Sequence, residues 1–431
     1  MANVVVKPTV RLRGEVSAPQ SKSYTQRIVI AAALSHGVSK VSKPLYSEDT
    51  EATLRAVTAL GAKVKAARDC WAIQGAESLQ ASEEPIDCGE SGATLRFMVP
   101  VAALANGTSK LTFQGSIARR PVEPLIESLK DLGAEAHVGK LGDRDTVIVS
   151  GGGIEGGETS IPGDVSSQFI SGLMFACPLA KTETVIKLSS PLESMDYVKM
   201  TQAVLSQHAV EVALSDDQIV IPGNQIYKAT DACVPGDFSS AAFLLASAAI
   251  TQSNVTVTNL DYETVQGDKA ILTVLKRMGI GGRVCRDRVQ IEGDGKPLKP
   301  IELDARHIPD LVPIIAVLAC YAKGTSKIMG ARRLRLKESD RLVSITDELT
   351  KMGAQVEMKE DSLTINGTSL HGTNVDPHND HRIAMAAAVA ALGAKGETTI
   401  KHAECIRKSY PQFFTHLKQI GADVVGGKLD R

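Results

Sequence analysis

Residues suited to anion binding recur at the starts of segments rich in small apolar residues. The first start places Lys22 and Arg27 five residues apart with Ser23 between them, and the third offers Ser166, Ser167 and Gln168 in succession. The N-terminus of a helix carries unpaired N–H donors and a partial positive charge, so such starts favour phosphate or carboxylate groups. The ordinary alternative for each serine taken singly is a helix N-cap. The six starts recur about every 72 residues and are 21–27, 90–96, 164–169, 236–240, 307–310 and 379–382.

Further cations precede other helical segments. Residues 332–341 include seven charged residues, Lys337 and Arg341 among them, and enter a helical pattern beside Asp310. Arg120 and Lys408 likewise stand just before helical segments. A charge run is commonly a solvated face. Basic residues at helix starts, however, oppose the macrodipole preference, so a bound anion would satisfy both the side chains and the N–H groups.

Two acids in this region are candidates for proton transfer. Asp310 and Glu338 lie among several cations, where a carboxylate can act as general base or acid. His378 and His381 form an H-x-x-H pair without a third ligand, which is a weak metal signal. We therefore expect no metal and no cofactor.

These residues must be positioned by a repeated structural unit. Each copy reads as strand, buried helix, strand, amphipathic outer helix and strand, and the outer helix usually ends in Gly; the third copy has His208 and Ala209 there. A single unit cannot bury its apolar helix alone, but three together can. The sequence therefore predicts an α/β protein of two similar domains, each of three repeats with helices inside and sheets outside.

Composition narrows the class of protein. The 431-residue chain has a formal charge of −1, seven scattered cysteines and no apolar run of the roughly 18 residues that a membrane span needs. We expect a cytoplasmic protein with reduced thiols. Alternation from Val4 to Val16 predicts one N-terminal strand without a unit of its own, which we expect to complete a unit near the C-terminus.

The motifs together resemble the 5-enolpyruvylshikimate-3-phosphate synthase family of enolpyruvyl transferases. They are SKSYTQR, SGATLR, ARRPVEPL, DVSSQF, HIPD, LRLKESDRL, NDHRIAMA and CIRKSYP, in that order. The resemblance implies two domains of three βαβαββ units each, an inside-out α/β barrel with buried helix ends at an interdomain cleft. Counting the repeats places the domain boundary near residues 233–236, so the N-terminal domain would be residues 20–235, and the resemblance implies that this domain binds shikimate 3-phosphate. Residues 1–19 and 236–431 would form the C-terminal domain, which binds phosphoenolpyruvate and supplies the catalytic acid.

The family's reaction transfers the enolpyruvyl group of phosphoenolpyruvate to the 5-hydroxyl of shikimate 3-phosphate and releases phosphate. The resemblance implies small anionic substrates, no cofactor, no nucleic-acid partner, no membrane and a monomer. It makes Asp310 the base, Glu338 the acid and Lys22 an aid to phosphate departure. The implied shikimate 3-phosphate contacts are Lys22, Ser23, Arg27, Ser166, Ser167, Gln168, Ser194, Tyr197, Asp310 and Lys337. The implied phosphoenolpyruvate contacts are Lys22, Gly92, Arg120, Gln168, Arg341, Arg382 and Lys408.

Four residues depart from the family pattern. Glu90 stands where Asn is usual, and Ala93 and Phe97 replace a Thr and a small residue. Arg333 occupies a position where some members carry an Asn that contacts shikimate 3-phosphate.

Two other functions remain open. One is enolpyruvyl transfer to UDP-N-acetylglucosamine, whose enzymes open with a K-N motif and carry a loop cysteine near the position of Arg120. This chain has Lys22-Ser23 and no cysteine between Cys88 and Cys177. The other is RNA-end binding or processing, against which stand the neutral charge and an aromatic content of 4%.

Overall fold

A computed structural model describes residues 2–426 of the chain. The α-helices in this range are α1 (Lys22–Leu34), α2 (Glu48–Ala59), α3 (Gly92–Ala103), α4 (Glu123–Asp131), α5 (Ser167–Ala176), α6 (Met195–Gln207), α7 (Phe238–Ile250), α8 (Ile271–Arg277), α9 (Val312–Cys320), α10 (Arg341–Lys351), α11 (His381–Leu392) and α12 (Phe413–Gln419).

The strands in the same range are β1 (Val4–Val6), β2 (Arg13–Ser17), β3 (Val38–Ser42), β4 (Lys63–Ala67), β5 (Cys70–Gln74), β6 (Ile86–Asp87), β7 (Thr108–Phe113), β8 (Glu135–Leu141), β9 (Arg144–Ser150), β10 (Gly157–Pro162), β11 (Thr184–Ser190), β12 (Ala213–Leu214), β13 (Gln218–Ile221), β14 (Ala232–Cys233), β15 (Asn254–Thr258), β16 (Gly281–Val284), β17 (Arg288–Glu292), β18 (Glu302–Asp304), β19 (Thr325–Met329), β20 (Gln355–Met358), β21 (Leu363–Asn366), β22 (Asn374–Val375), β23 (Thr398–Ile400) and β24 (Val424–Val425). Short 3₁₀ turns cover Gly267–Ala270, Pro309–Leu311, Arg332–Leu336 and Ala403–Lys408.

Six four-stranded sheets across residues 2–426 follow one pattern. In the second repeat the order is β6-β7-β9-β8, with the first pair parallel and the other two antiparallel. The repeat therefore runs β6, α3, β7, α4, β8, β9, which is the βαβαββ unit. The third and fifth repeats follow the same order in β10-β11-β13-β12 and β18-β19-β21-β20. The predicted α/β class and repeat architecture are confirmed.

Three sheets take one strand from elsewhere in the chain. The sheet of the first repeat includes β14, which pairs in parallel with β3. The sheet of the fourth repeat includes β2, which pairs in parallel with β15. The sixth sheet inserts β1 between β23 and β24, antiparallel to both. The N-terminal segment thus completes a C-terminal sheet, as expected.

The prediction of a single strand over Val4–Val16 is wrong. The segment forms two strands in different sheets, separated by Lys7–Leu12. Pro8 lies in this gap. Since proline has no N–H to donate to a ladder, it ends β1.

The chain divides into two compact units. The central unit is Ser21–Val234 and holds repeats one to three; the terminal unit comprises the N-terminal residues up to Gln20 and the residues from Pro235 onward, and holds repeats four to six. Each unit has its own apolar core, built around α1, α3 and α5 in one and α7, α9 and α11 in the other. Every residue of α9 and α11 is buried, because sheets and neighbouring helices cover these apolar helices on all sides.

The starts of the buried helices are fixed by polar caps. Ser21 caps α1, Ser91 caps α3 and Ser166 caps α5, each hydroxyl accepting a backbone N–H of the first turn. Asp237 and Asp380 cap α7 and α11 in the same way. The ordinary capping interpretation therefore holds for these residues, whereas Ser23 and Ser167 lie within the first turn of their helices.

Glycine ends five of the outer helices in the left-handed region. Gly61, Gly133, Gly279, Gly353 and Gly421 all have φ between +83° and +108°. In the third repeat Ala209 takes this place with φ +62°, directly after the C-cap His208. A Cβ atom in this conformation is strained, so Ala209 departs from the repeat at a structural cost.

Candidate active site

The candidate residues form two clusters, one in each unit. In the central unit, Lys22 is the first residue of α1, and its Nζ lies 2.8 Å from Asp49 Oδ2 at the start of α2. Both side chains are largely buried, with exposed fractions of 15% and 11%. Asp49 therefore fixes the ammonium group at the helix start.

Arg27 is held one turn further along α1. Its guanidinium donates to Thr201 Oγ1 at 2.8 Å and to the Ser23 carbonyl oxygen at 3.0 Å, and it lies 5.0 Å from the centroid of the Phe97 ring. Burial lowers the pKa of Arg27 to about 10, which still leaves the side chain charged at neutral pH. Phe97, one of the departures from the family pattern, therefore supports a candidate ligand through a cation–π contact.

Gly92, the first residue of α3, makes room for Arg120. A Cβ atom added at Gly92 would lie 2.9 Å from Arg120 Nη1, so any larger residue would displace the guanidinium group of Arg120 from this position. Arg96 follows one turn later and donates to Gln168 Oε1 and to the Pro121 carbonyl oxygen, both at 2.9 Å. Arg96 thus couples the amide of Gln168 to the segment that carries Arg120.

The remaining central-unit candidates lie at two further helix starts. The Ser166 hydroxyl accepts the Gln168 N–H at 3.3 Å, and Ser167 is buried in the first turn of α5. Ser194 precedes α6 with φ +56°, in the left-handed region, and Tyr197 lies one turn later. The Tyr197 carbonyl oxygen accepts from Arg27 Nη2 at 3.3 Å, which ties the α6 start to α1.

In the terminal unit, three cations surround Asp310. Its carboxylate lies 2.8 Å from Arg341 Nη1, 3.1 Å from Arg382 Nη2 and 3.6 Å from Lys337 Nζ. Asp310 belongs to the 3₁₀ turn Pro309–Leu311 that leads into α9. Asp310, which was predicted to lie beside the charged run 332–341, thus contacts two of its cations, Lys337 and Arg341.

Arg341 also contacts the second candidate acid. Its Nη2 lies 2.6 Å from Glu338 Oε2, and its Nε lies 2.7 Å from Asp380 Oδ2. Asp380 in turn accepts the Arg382 N–H at 2.9 Å as the cap of α11. One buried guanidinium therefore joins both candidate catalysts to the start of α11.

Lys408 completes the terminal-unit cluster. Its Nζ donates to the Asn379 carbonyl oxygen at 2.7 Å. Asn379 and His378 both have φ near +55°. His378 Nε2 lies 2.9 Å from Oε1 of the buried Glu348, which anchors this left-handed turn. Here His378 serves structure, and no group of three or more His, Cys, Asp or Glu in residues 2–426 is arranged to hold a metal.

Ion pairs determine the pKa of Asp310 in the terminal-unit cluster. Burial alone would raise the pKa of Asp310, but Arg382, Lys337 and Arg341 outweigh it and hold that pKa well below its usual range. Burial lowers the pKa of Lys337 to about 8 despite the neighbouring Asp310. The Asp310 carboxylate is therefore ionised but weakly basic while its cations remain bound to it.

The structure brings the candidates together within each unit, and it adds residues that sequence reasoning missed. Arg96, Asp49 and Asp380 received no role from their motifs. A charged residue inside the apolar helix segment 92–103 was a usable signal for Arg96. Asp49 gave none, since it looks like an ordinary acidic residue in the first turn of α2. Among the departures, Arg333 is buried in the turn Arg332–Leu336, and the Glu90 carboxyl packs against Gly115.

Known proteins match this chain over nearly its whole length. The family model described as EPSP synthase (3-phosphoshikimate 1-carboxyvinyltransferase) matches residues 6–417. A protein of that name from Methanocaldococcus jannaschii is 42% identical over 98% of this chain and 99% of its own length. Another from Methanococcoides burtonii is 44% identical over 96% and 97%.

A solved structure agrees with the sequence matches. EPSP synthase from Acinetobacter baumannii superposes with a TM-score of 0.84 at 26% identity, covering 99% of this chain and 100% of the other. The resemblance seen in the motifs is confirmed. The chain therefore belongs to the EPSP synthase (3-phosphoshikimate 1-carboxyvinyltransferase) family.

Proposed function

We propose that this protein transfers the enolpyruvyl group of phosphoenolpyruvate to the 5-hydroxyl of shikimate 3-phosphate, in aromatic amino-acid biosynthesis. Family membership establishes the enzyme class. The structural observation that carries the assignment is the terminal-unit cluster, where Asp310 and Glu338 both contact Arg341 beside Arg382. Two carboxylates among cations suit a reaction that moves protons on anionic substrates.

The central-unit cluster supplies most of the shikimate 3-phosphate contacts. The hydroxyl groups and the buried guanidinium there are donors to phosphate, carboxylate and hydroxyl oxygens. Arg27 is fixed by Thr201 and Phe97 before substrate arrives, so little side-chain entropy is lost on binding. We assign to shikimate 3-phosphate Lys22, Ser23, Arg27, Ser166, Ser167, Gln168, Ser194 and Tyr197, with Asp310 and Lys337 from the terminal unit.

Phosphoenolpyruvate needs cations for a phosphate and a carboxylate. Arginine suits the planar carboxylate because its fork donates two parallel hydrogen bonds. We assign to this substrate Arg341, Arg382 and Lys408 from the terminal unit, with Lys22, Gly92, Arg120 and Gln168 from the central unit.

The chemistry is an addition followed by an elimination. The 5-oxygen of shikimate 3-phosphate loses its proton to Asp310 and bonds to C2 of phosphoenolpyruvate, while Glu338 protonates C3. The resulting tetrahedral intermediate then breaks its C2–O bond to phosphate, and C3 returns its proton to Glu338. Lys22 stabilises the departing phosphate.

Substrate binding prepares Asp310 for its role. In the structure Arg341 and Arg382 hold the pKa of Asp310 well below its usual range. An incoming carboxylate shares these guanidinium groups and so weakens their hold on Asp310. Asp310 consequently gains proton affinity when phosphoenolpyruvate is bound.

Acceptor choice tests the proposal. We expect phosphate release to require both phosphoenolpyruvate and shikimate 3-phosphate and to persist in EDTA. The matched family and its named relatives favour shikimate 3-phosphate over UDP-N-acetylglucosamine. Turnover with UDP-N-acetylglucosamine but not with shikimate 3-phosphate would contradict the proposal, and retention of RNA without turnover would favour the nucleic-acid alternative.

Replacing either candidate catalyst should separate chemistry from binding. We expect Asp310→Asn and Glu338→Gln to lower kcat by about 10²- to 10⁴-fold, the usual contribution of a general base or acid. Equilibrium binding of shikimate 3-phosphate should change far less. Product formation measured by phosphate release, with thermal unfolding to verify the fold, checks both results.

Glu360→Gln is the matched control, because this carboxylate is exposed and pairs only with Arg332 among the ion pairs described for it. It should leave kcat unchanged. Wild-type kcat in Asp310→Asn or Glu338→Gln would remove the role assigned to that residue.

We also propose, from sequence composition and family type, a monomer that acts in the cytoplasm. Within residues 2–426 no helix has the length and apolar character to cross a bilayer. A molecular mass near 45.7 kDa in solution scattering would support the monomer, and twice that mass would contradict it.

A further inference from the structure

Among the six repeat starts, only the start of α7 at residues 236–240 receives no substrate role from the motifs, yet a buried carboxyl group contacts it. The Ser239 hydroxyl donates to Asp268 Oδ2 from the first turn of the helix. Asp268 lies in the turn Gly267–Ala270, and it is 3% exposed. Its second oxygen, Oδ1, is buried without a hydrogen-bond partner.

The turn that carries Asp268 is itself anchored to the same helix start. The Gln266 side chain accepts the Phe238 N–H at 3.0 Å and donates to the Gly236 carbonyl oxygen at 2.8 Å. Asp237 caps α7 through Ser240. Asp268 is therefore held by a fixed scaffold and cannot turn toward solvent without breaking it.

Helix α7 packs against the turn Gly267–Ala270, the turn Pro309–Leu311 and α11, which brings charged groups on three elements into the electrostatic surroundings of Asp268. Asp310 lies before α9, Arg382 on the first turn of α11 and Asp237 at the cap of α7, all close enough to shift the pKa of Asp268. The neighbouring Lys269 points away, since its Nζ donates to the Tyr262 and Thr264 carbonyl oxygens. Burial and the charge of Asp310 outweigh Arg382 and Ser239 and raise the pKa of Asp268 to about 7.

We propose that Asp268 is a positioning residue of the transfer reaction: its neutral form leaves the Arg382 charge available to the anionic substrate, and its ionised form competes with that substrate for Arg382. The inference rests on the proposed function, in which Arg382 binds phosphoenolpyruvate. A second full negative charge beside Asp310 and Arg382 would both repel the substrate carboxylate and engage the guanidinium that should bind it. The start of α7 thereby acts on the reaction through Arg382 and does not contact substrate.

The pH dependence of kcat/KM tests this role, since it reports ionisations of the free enzyme. We expect the ratio of wild-type kcat/KM for phosphoenolpyruvate to that of Asp268→Asn to fall about tenfold between pH 6 and pH 8, as expected for one ionisation. Titration of Lys337 and of the substrate phosphate occurs in both proteins and largely cancels in the ratio. Asp216→Asn, a change at an exposed loop residue, should give a ratio that is constant with pH. A constant ratio for Asp268→Asn would overturn the proposal.

The variant Ser239→Ala provides a second, independent test through the direction in which the pH profile of kcat/KM shifts. Its hydroxyl stabilises the ionised carboxylate, so its loss should move the alkaline fall of kcat/KM to higher pH. The cap from Asp237 remains in this variant. A shift to lower pH, or no shift, would contradict the assignment even if Asp268→Asn failed to fold.

A measurement without turnover separates this inference from the proposed function. The pKa of Asp268 is raised above its ordinary value of 3.8, so the folded state holds more protons than the unfolded state between about pH 4 and pH 7. Protonated Asp268 therefore contributes fully to the free energy of unfolding at low pH, and this contribution is lost as the pH rises through about 7. The Tm of the wild type relative to Asp268→Asn should fall between pH 4.5 and pH 7.5. If this fall occurs in a protein without enolpyruvyl transfer, the titration stands and the proposed function fails; if it is absent, Asp268 does not titrate there and the inference fails.

Discussion

Arginine and carboxylate side chains at the candidate site neutralise one another before any substrate binds. Arg341 contacts Asp310, Glu338 and Asp380, and in the central unit Lys22 contacts Asp49. Removing one partner of such a buried pair leaves an uncompensated charge, which usually costs about 3–5 kcal/mol. Substitutions here therefore affect stability together with catalysis, and each activity measurement needs an unfolding measurement beside it.

Arg96 offers a test of positioning in the central unit. We expect Arg96→Lys to raise the KM for phosphoenolpyruvate about tenfold, because a lysine cannot reach both Gln168 and the Pro121 carbonyl oxygen as the fork of arginine does. Loss of one such hydrogen bond is worth about 1.5 kcal/mol. Steady-state kinetics at saturating shikimate 3-phosphate measures the effect, and kcat should change less than KM.

Arg68→Lys is the control for this change, since Arg68 is exposed on the turn between β4 and β5. An unchanged KM in Arg96→Lys would show that Gln168 and the Arg120 segment do not depend on Arg96.

The sequence was sufficient to predict that the candidate ligands lie at helix starts, but not which residues support them. Lys22, Arg27, Asp310 and Arg382 stand in motifs whose spacing places them at helix starts. Their partners are distant in sequence: Thr201 lies 174 residues from Arg27, and Asp268 lies on another repeat from Asp310 and Arg382. A pattern read along the chain carries no information about such contacts until the fold is known.

At the scale of the elements, the outer helices end in one conformation that five glycines adopt without strain. Ala209 is the exception, with φ +62° after α6. We expect Ala209→Gly to raise the free energy of unfolding by about 1 kcal/mol, because a non-glycine residue in the left-handed region costs roughly that amount. Urea unfolding followed by circular dichroism measures the change.

The equivalent position of the first repeat gives the converse control. Gly61 has φ +108°, and a Cβ there would meet Ala76 at an ordinary contact distance of 3.5 Å. Gly61→Ala should therefore lower stability through backbone strain alone. Equal effects of the same sign in the two variants would contradict this account.

The elements themselves were largely readable from the sequence, because the repeat sets the buried and outer helices by period and by their caps. The prediction of one strand over Val4–Val16 is wrong for a physical reason. Alternation from Val4 to Val16 describes which faces are buried but not which sheet buries them, and β1 and β2 pack on different sheets. Strand partners far apart in sequence are set by tertiary packing, which a local pattern does not report.

At the scale of the whole molecule, the two units differ in how they are assembled from the chain. The central unit is one continuous segment and includes β14, which completes its first sheet. The terminal unit needs β1 and β2 from the N-terminus. These strands and the link between them bury Val4, Val6, Leu12 and Val16.

The continuous unit should fold alone and the interrupted one should not. We expect a fragment of residues 21–234 to unfold cooperatively in urea, and a fragment of residues 235–426 to lack a cooperative transition. Four buried aliphatic side chains contribute roughly 1.5–3 kcal/mol each, which together is comparable to the whole stability of a domain. Circular dichroism of both fragments measures the difference.

Fusing residues 2–20 after residue 426 through a flexible linker is the matched control, and it should restore the cooperative transition. A cooperative transition in residues 235–426 alone would show that β1 and β2 are dispensable.

The pairing of β1 and β2 with strands far along the chain also determines which unit can fold first during synthesis. β2 leaves the ribosome long before its partner β15, which begins at Asn254, and β1 leaves it long before its partner β24 at Val424–Val425. At about 5–20 residues per second, β2 waits on the order of 10–50 seconds for its partner, while the whole central unit can fold in the interval. During that time β1 and β2 have no strand partner, so a chaperone that shields unpaired nascent strands would protect this chain more than one whose domains follow one another in sequence.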